Sequence, residues 1–279
     1  MRILIFLLVW AAPMAAVAGT APVSPAAEQI EIMQGEAVLK ALLYRPEGAG
    51  PFPAVVAMHG CSGLYNPSNL VSSRYRDWAQ RLTKAGFVVL FPDSYGSRGL
   101  GSQCTVKQRP IRTDRERVAD ANAARHWLQN QSYVSRDRVS LLGWSNGAIS
   151  VLWTVRRRSN ARDDTPDFRS AVAFYPGCSR PDNAAWSARI PTLILIGNLD
   201  DWVSAAVCEK MVAGARGRSA RISLVIYPGA YHDFDHPNRP VQVRTGYAFS
   251  TDGSGRVHTG TNPAARNESI KRVQQWLAR

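Results

Sequence analysis

Apolar residues in this chain follow two rhythms, and the rhythms alternate. Short unbroken runs such as "AVVAM" (54–58), "VVLFP" (88–92) and "LILIG" (193–197) contain no polar position. Such runs, closed by glycine or proline, predict strands covered on both faces, as in a parallel sheet. Elsewhere apolar residues recur at helical spacing: Tyr75, Trp78, Leu82 and Ala85 predict a helix near 69–84.

The same reading extends along the chain. "QIEIM" and "AVLKALLYRP" read as half-buried strands joined by the turn "QGE". After a polar loop at 95–112, Thr113 is the expected N-cap of a helix over "DRERVADANAARHWLQN". "RVSLLGWS" predicts a strand and "NGAISVLWTVRRR" a helix whose last-turn arginines would favour its dipole. Strands are expected again at "RSAVAFYPG", "IPTLILIGNLD" and "RISLVIYPGA", with a helix over "SAAVCEKMVAGA" between the last two. A long polar loop runs to about 262, and "PAARNESIKRVQQWLA" closes the chain as an amphipathic helix. Strands alternating with helices define an α/β class with a parallel sheet and helices on both faces. No internal repeat or composition break marks a second domain.

The first residues stand apart from this pattern. "MRILIFLLVWAAPMAAVA" has one basic residue (Arg2), an apolar run from Ile3 to about Ala12, and Ala16-Val17-Ala18. This is the anatomy of a secretory leader at 1–18, cleaved before Gly19, leaving a single domain at 19–279. The apolar run falls short of the roughly 20 residues a bilayer crossing needs. No later stretch is apolar enough, so no stable membrane insertion is expected. The destination is the periplasm or the medium. Export permits disulfides among Cys61, Cys104, Cys178 and Cys208, for which counting alone leaves three pairings open. The net charge of +13 comes from scattered arginines, apart from Arg156-Arg157-Arg158. Without an aromatic-interleaved basic stripe, it does not point to nucleic acid.

Polar residues of chemical interest collect where the predicted strands end: "HGCSG", "GWSNG", "GNLDD" and "GAYHDFDH". In open α/β sheets, ligand sites form at the carboxyl ends of strands. "GWSNG" (143–147) fits G-x-S-x-G between a strand and a helix, the setting of a sharp turn that presents Ser145 as nucleophile. The amide of Asn146 then faces a developing oxyanion at the helix N-terminus. His232, late in the chain on the same rim, is the expected base. His59 precedes the elbow, His126 lies in a helix and His258 in the far loop. A metal pair of His232 and His236 is disfavoured by Pro237, and no metal or cofactor is expected. Asp200, three residues after Gly197, is the expected partner of His232. Asp201 is expected to face solvent or cap the next helix, while Asp233 and Asp235 lie too near His232 in sequence. "HGCSG" should supply the second oxyanion amide, from Cys61. Its side chain is expected to bridge to Cys104, with Cys178 to Cys208 as the other pair, because each pair follows neighbouring strands.

"AMHGCSGL", "GFVVLFPDSYG", "LLGWSNG", "LIGNLDDWV", "YPGAYHDFD" and "ARNESIKRVQQWL" together resemble the dienelactone hydrolase family of the α/β-hydrolase superfamily, from about residue 35 to the C-terminus. The resemblance implies an open, mostly parallel eight-stranded sheet and the triad Ser145, Asp200 and His232. The chain departs from the family pattern in having serine where dienelactone hydrolases proper use cysteine, and in lacking an acid within "HGCSG". The family's two substrate-binding arginines are not clearly matched: Arg98 is displaced, and His236 stands where the second would be. The expected activity is hydrolysis of a small-molecule ester or lactone through an acyl-enzyme. A small-peptide hydrolase, an acyltransferase and a dormant binding protein are the alternatives.

Overall fold

The computed structural model describes residues 27–34, 37–157, 165–183 and 185–279. The expected leader at 1–18 lies outside these. An antiparallel hairpin opens the fold, β1 (Glu28–Gln34) pairing with β2 (Ala37–Tyr44), Glu28 opposite Leu43. Six further strands follow: β3 (Phe52–Met58), β4 (Val88–Pro92), β5 (Val134–Trp144), β6 (Ala171–Phe174), β7 (Thr192–Gly197) and β8 (Ile222–Tyr227). They form one eight-stranded sheet in the order β1-β2-β4-β3-β5-β6-β7-β8. β2 runs antiparallel to β4, and every pairing from β4 to β8 is parallel.

The expected α/β architecture is thus present, and the reason is visible in the burial. Residues 54–58 and 193–196 have no exposed surface at all, as unbroken apolar strands require. Helices α2 (Glu116–Gln129), α3 (Asn146–Thr154), α4 (Ser179–Asn183) and α5 (Ala205–Gly214) contact one another in succession and make one layer. Helices α1 (Ser73–Lys84) and α6 (Pro263–Leu277) are joined by an Asp77–Arg266 ion pair of 2.6 Å. At the sheet's centre the fully buried Trp144 lies nearly parallel to Phe91 of β4 and Phe174 of β6. This aromatic floor sits directly beneath the residue that follows β5. Burying each such ring contributes about 1.5–3 kcal/mol.

Several boundaries differ from expectation, each for a local reason. Helix α1 starts at Ser73 rather than near 69, because Asn66 Oδ1 accepts the amides of Ser68 and Leu70. That local side-chain bonding competes with helix formation. Thr113 is not the N-cap of α2. The helix starts at Glu116, whose carboxylate instead accepts the Arg112 amide at 2.8 Å. Helix α3 ends at Thr154, so Arg156 and Arg157 lie past its last turn. There the backbone turns to pair with residues 187–189. The loop after β8 contains a small hairpin, β9 (Gln242–Arg244) and β10 (Val257–Thr259), which polar composition concealed.

Candidate active site

The chain order places β3 and β5 side by side while their successors leave in opposite directions, so a crevice opens beyond their carboxyl ends. A cavity of about 560 Å³ occupies it, lined in part by Cys61, Ser145, Trp202 and His232. Ser145 stands at the turn between β5 and α3 with φ +51°, a left-handed conformation that a serine adopts only under constraint. The constraint comes from both glycines of the motif. A Cβ on Gly147 would lie 2.1 Å from the carbonyl oxygen of Met58, and one on Gly143 would lie 2.7 Å from the Gly147 backbone. The Ser145 amide is held by Phe174 O at 2.9 Å.

His232 follows β8 and reaches the same cavity. Its Nδ1–H donates to Asp200 Oδ2 at 2.8 Å, which leaves the lone pair on Nε2, an atom with no partner among the described residues. The other Asp200 oxygen accepts the amides of Trp202 and Val203, each at 3.0 Å, so the carboxylate is fixed at both ends. Tyr175 and Trp202 pack against the imidazole, with ring centroids 4.4 and 4.6 Å away. Tyr247 stacks on Trp202 in turn. The main chain of His232 is pinned to β10 by a bridge to Thr259 and by Gly260 N–H donating to His232 O.

The loop after β3 lies against Ser145: a Cβ on Gly60 would come 3.7 Å from that of Ser145. The Gly60 amide donates to Tyr75 Oη, whereas the amides of Cys61 and Asn146 have no acceptor among the described residues. Cys61 is bridged to Cys104, and Cys178 to Cys208, as expected from their places after neighbouring strands. The first bridge lines the cavity. The second is buried in the core.

Other acids and histidines have separate tasks. Asp201 keeps about a third of its side chain exposed, as expected, but does not cap α5, whose N-cap is Ser204. It binds His258 instead, accepting from Nδ1 at 2.7 Å and from the backbone amide at 2.8 Å, and so holds β10 in place. Asp233 pairs with Arg74 at 2.5 Å and with Arg239 at 2.7 Å. Burial alone would raise its pKa, but the Arg74 guanidinium, with that of Arg239, outweighs this and holds it well below the usual carboxylate range. The fully buried Asp235 accepts from Trp78 Nε1, Trp144 Nε1 and Tyr175 Oη at 2.7, 2.8 and 2.6 Å. His236 bonds Ser73 Oγ, and burial with the nearby Arg74 lowers its pKa to about 3. His59 donates from Nδ1 to Gly60 O, and burial keeps it neutral far below its ordinary value. Arg98 is engaged by both oxygens of Asp120. Among the described residues no cluster of His, Cys, Asp and Glu has metal-binding geometry, and no helix is long and apolar enough to cross a membrane.

Sequence reasoning missed Arg117, Asp201 with His258, and Asp235. A signal existed for the first: Arg117, Ala121, Ala124 and Leu128 share one helical stripe, and all four are fully buried. For Asp235 no local pattern distinguishes a core carboxylate from a loop one.

An eight-stranded sheet of this order, carrying an alcohol elbow after β5 and an acid–histidine pair on the loops after β7 and β8, is the α/β-hydrolase arrangement. Within that class the family model described as "Dienelactone hydrolase family" matches residues 39–279, and the chain belongs to this family. A Bradyrhizobium protein named as a 2-oxo-3-(5-oxofuran-2-ylidene)propanoate lactonase is 28% identical over 208 residues, 70% of this chain and 78% of that one. A Methylorubrum extorquens protein named as a carboxymethylenebutenolidase is 23% identical, covering 77% and 74%. The crystal structure of an Anabaena variabilis dienelactone hydrolase superposes with a TM-score of 0.60 at 22% identity, covering 91% of this chain and 98% of that one.

Proposed function

We propose that the chain is an exported serine hydrolase of carboxylic esters or lactones, with Ser145, His232 and Asp200 as its triad. Ser145 Oγ attacks the substrate carbonyl while His232 Nε2 takes its proton. Asp200 fixes the tautomer and stabilises the imidazolium. The negative charge gathers on the carbonyl oxygen, where the amides of Cys61 and Asn146 receive it. His232 returns the proton to the leaving alcohol, which departs from an ester but stays tethered in a lactone. Water, deprotonated by His232, then attacks the acyl-enzyme and releases the acid.

The observation that carries this reading is the 2.8 Å bond between His232 Nδ1 and Asp200. It orients the ring and leaves Nε2 unpartnered on a cavity shared with Ser145. The lactone side of the proposal draws on the named relative. Export draws on the leader-like residues 1–18 and is supported by two disulfides, which suit an oxidising compartment. In this reading residues 19–279 form the mature domain.

Ser145→Ala should lower kcat on a simple aryl ester by on the order of 10^6-fold, and a fluorophosphonate should label the wild type at Ser145 alone. Retention of most activity, or labelling elsewhere, would defeat the proposal.

A further inference from the structure

Arg117 is a buried cation with no carboxylate at ion-pair distance among the described residues, Asp93 acting on it only from farther off. It lies in the first turn of α2 with no exposed surface, and it forms no ion pair with any described residue. Its guanidinium is shared between two neutral acceptors on two different segments. One nitrogen donates to Asn146 Oδ1 at 2.6 Å and the other to the main-chain oxygen of His59 at 2.7 Å. Its Nε has no acceptor among the described residues. Tyr95 reinforces the arrangement: its ring lies 5.1 Å from the guanidinium carbon, and its hydroxyl donates to the same Asn146 oxygen at 2.8 Å.

Packing alone does not account for this side chain. The rest of its stripe is Ala121, Ala124 and Leu128, and an apolar residue at 117 would continue it without the desolvation cost of a buried charge. What the guanidinium adds is a rigid connection. His59 lies two residues before Cys61, and Asn146 directly follows Ser145. These are the two segments whose amides are free, and the planar fork joins them with a fixed separation.

We propose that Arg117 is a positioning residue for the oxyanion hole. It holds the loop after β3 and the start of α3 together so that both amides converge on one oxygen, and its charge, touched only by neutral acceptors, favours an anion there. The inference rests on the catalytic reading of Ser145, Cys61 and Asn146 given above. Misplacing donors by about 1 Å costs on the order of 100-fold in rate, whereas ground-state contacts to the substrate are hardly altered.

The test compares Arg117→Ala and Arg117→Lys with wild type, using an aryl ester as substrate and an alkyl boronic acid as transition-state mimic. In both variants kcat should fall about 10- to 100-fold with KM within about threefold, and the boronate should bind more weakly by a similar factor. Lysine keeps the charge but cannot span both acceptors, so it should restore little. Added guanidinium should recover part of the rate in the alanine variant. If Arg117→Ala does not fold, the lysine variant and Tyr95→Phe decide, the latter with an expected fall of a few-fold in kcat at constant KM. Unchanged kcat and boronate affinity in the folded variants would overturn the assignment. Fluorophosphonate labelling of Ser145 in wild type separates that failure from a failure of the catalytic reading itself.

Discussion

On the side of the cavity formed by the loops after β3 and β4, the polar groups around Ser145 include main-chain amides, a neutral histidine and, reaching in behind them from α2, a guanidinium. On the side formed by the loops after β7 and β8 they are carboxylates: Asp200, Asp201, Asp233 and Asp235, each with named partners. Asp93 also lines the first side, where burial raises its pKa against the opposing pull of the Gly96 and Tyr95 amides and of Arg117. The division matches the charges the reaction would create. A negative oxygen needs donors and no competing anion, while an imidazolium needs an anion close by. In the proposed reaction the side richer in carboxylates would hold the base, and the side with the free amides would hold the developing charge.

The largest expected effect within this contrast separates two adjacent aspartates. Asp200→Asn should lower kcat by roughly 10^4-fold, since the amide no longer imposes the Nδ1–H tautomer. Asp201→Asn loosens only the strap to His258 and should cost less than about tenfold; equal losses in steady-state assays would mean the two acids share one task. A smaller effect distinguishes the two disulfides. Replacing either pair by serine should destabilise the fold by up to about 4 kcal/mol in urea titrations, since the bridges close loops of 43 and 30 residues. Only loss of Cys61–Cys104 should also reduce kcat, by about tenfold or more. Smallest is a pH effect. His236 titrates at about 3 in the fold against about 6.5 when unfolded, so the unfolded chain binds more protons in between. Its stabilising contribution is complete above about pH 6.5 and is lost as pH falls toward 3. His236→Gln should flatten the decline in Tm between pH 6.5 and 4, above the window in which Asp233 is protonated on unfolding.

Much of this was readable from residue order. Strands β3, β4 and β7 announce themselves because a doubly covered strand has no room for polar residues. The candidate site residues follow strand ends, and the parallel pattern was enough to place Ser145, Asp200 and His232 on one rim of the sheet. The unread parts share one physical cause: polar side chains whose partners are distant in sequence. Arg117 reaches from α2 to His59 and Asn146, Asp235 collects donors from α1, β5 and the turn after β6, and Asp201 finds His258 across the loop. Burial of a charged side chain depends on such partners, and one sequence does not reveal which residues meet. The missed hairpin β9–β10 has a similar origin, for strands of three residues carry too little pattern to rise above a polar loop.

Arg244, Tyr247 and Thr259 line the cavity, yet all three belong to the excursion between β8 and α6 and none to the eight-stranded sheet. That wall of the cavity, downstream of His232, is therefore an addition to the sheet, fastened by the Asp201–His258 pair, by Ala248 N–H on Cys104 O and by Gly260 N–H on His232 O. Residues 242–257 of that wall can be rewritten, exchanging one clientele of molecules for another, while the sheet that carries Ser145 and Asp200 is inherited unchanged.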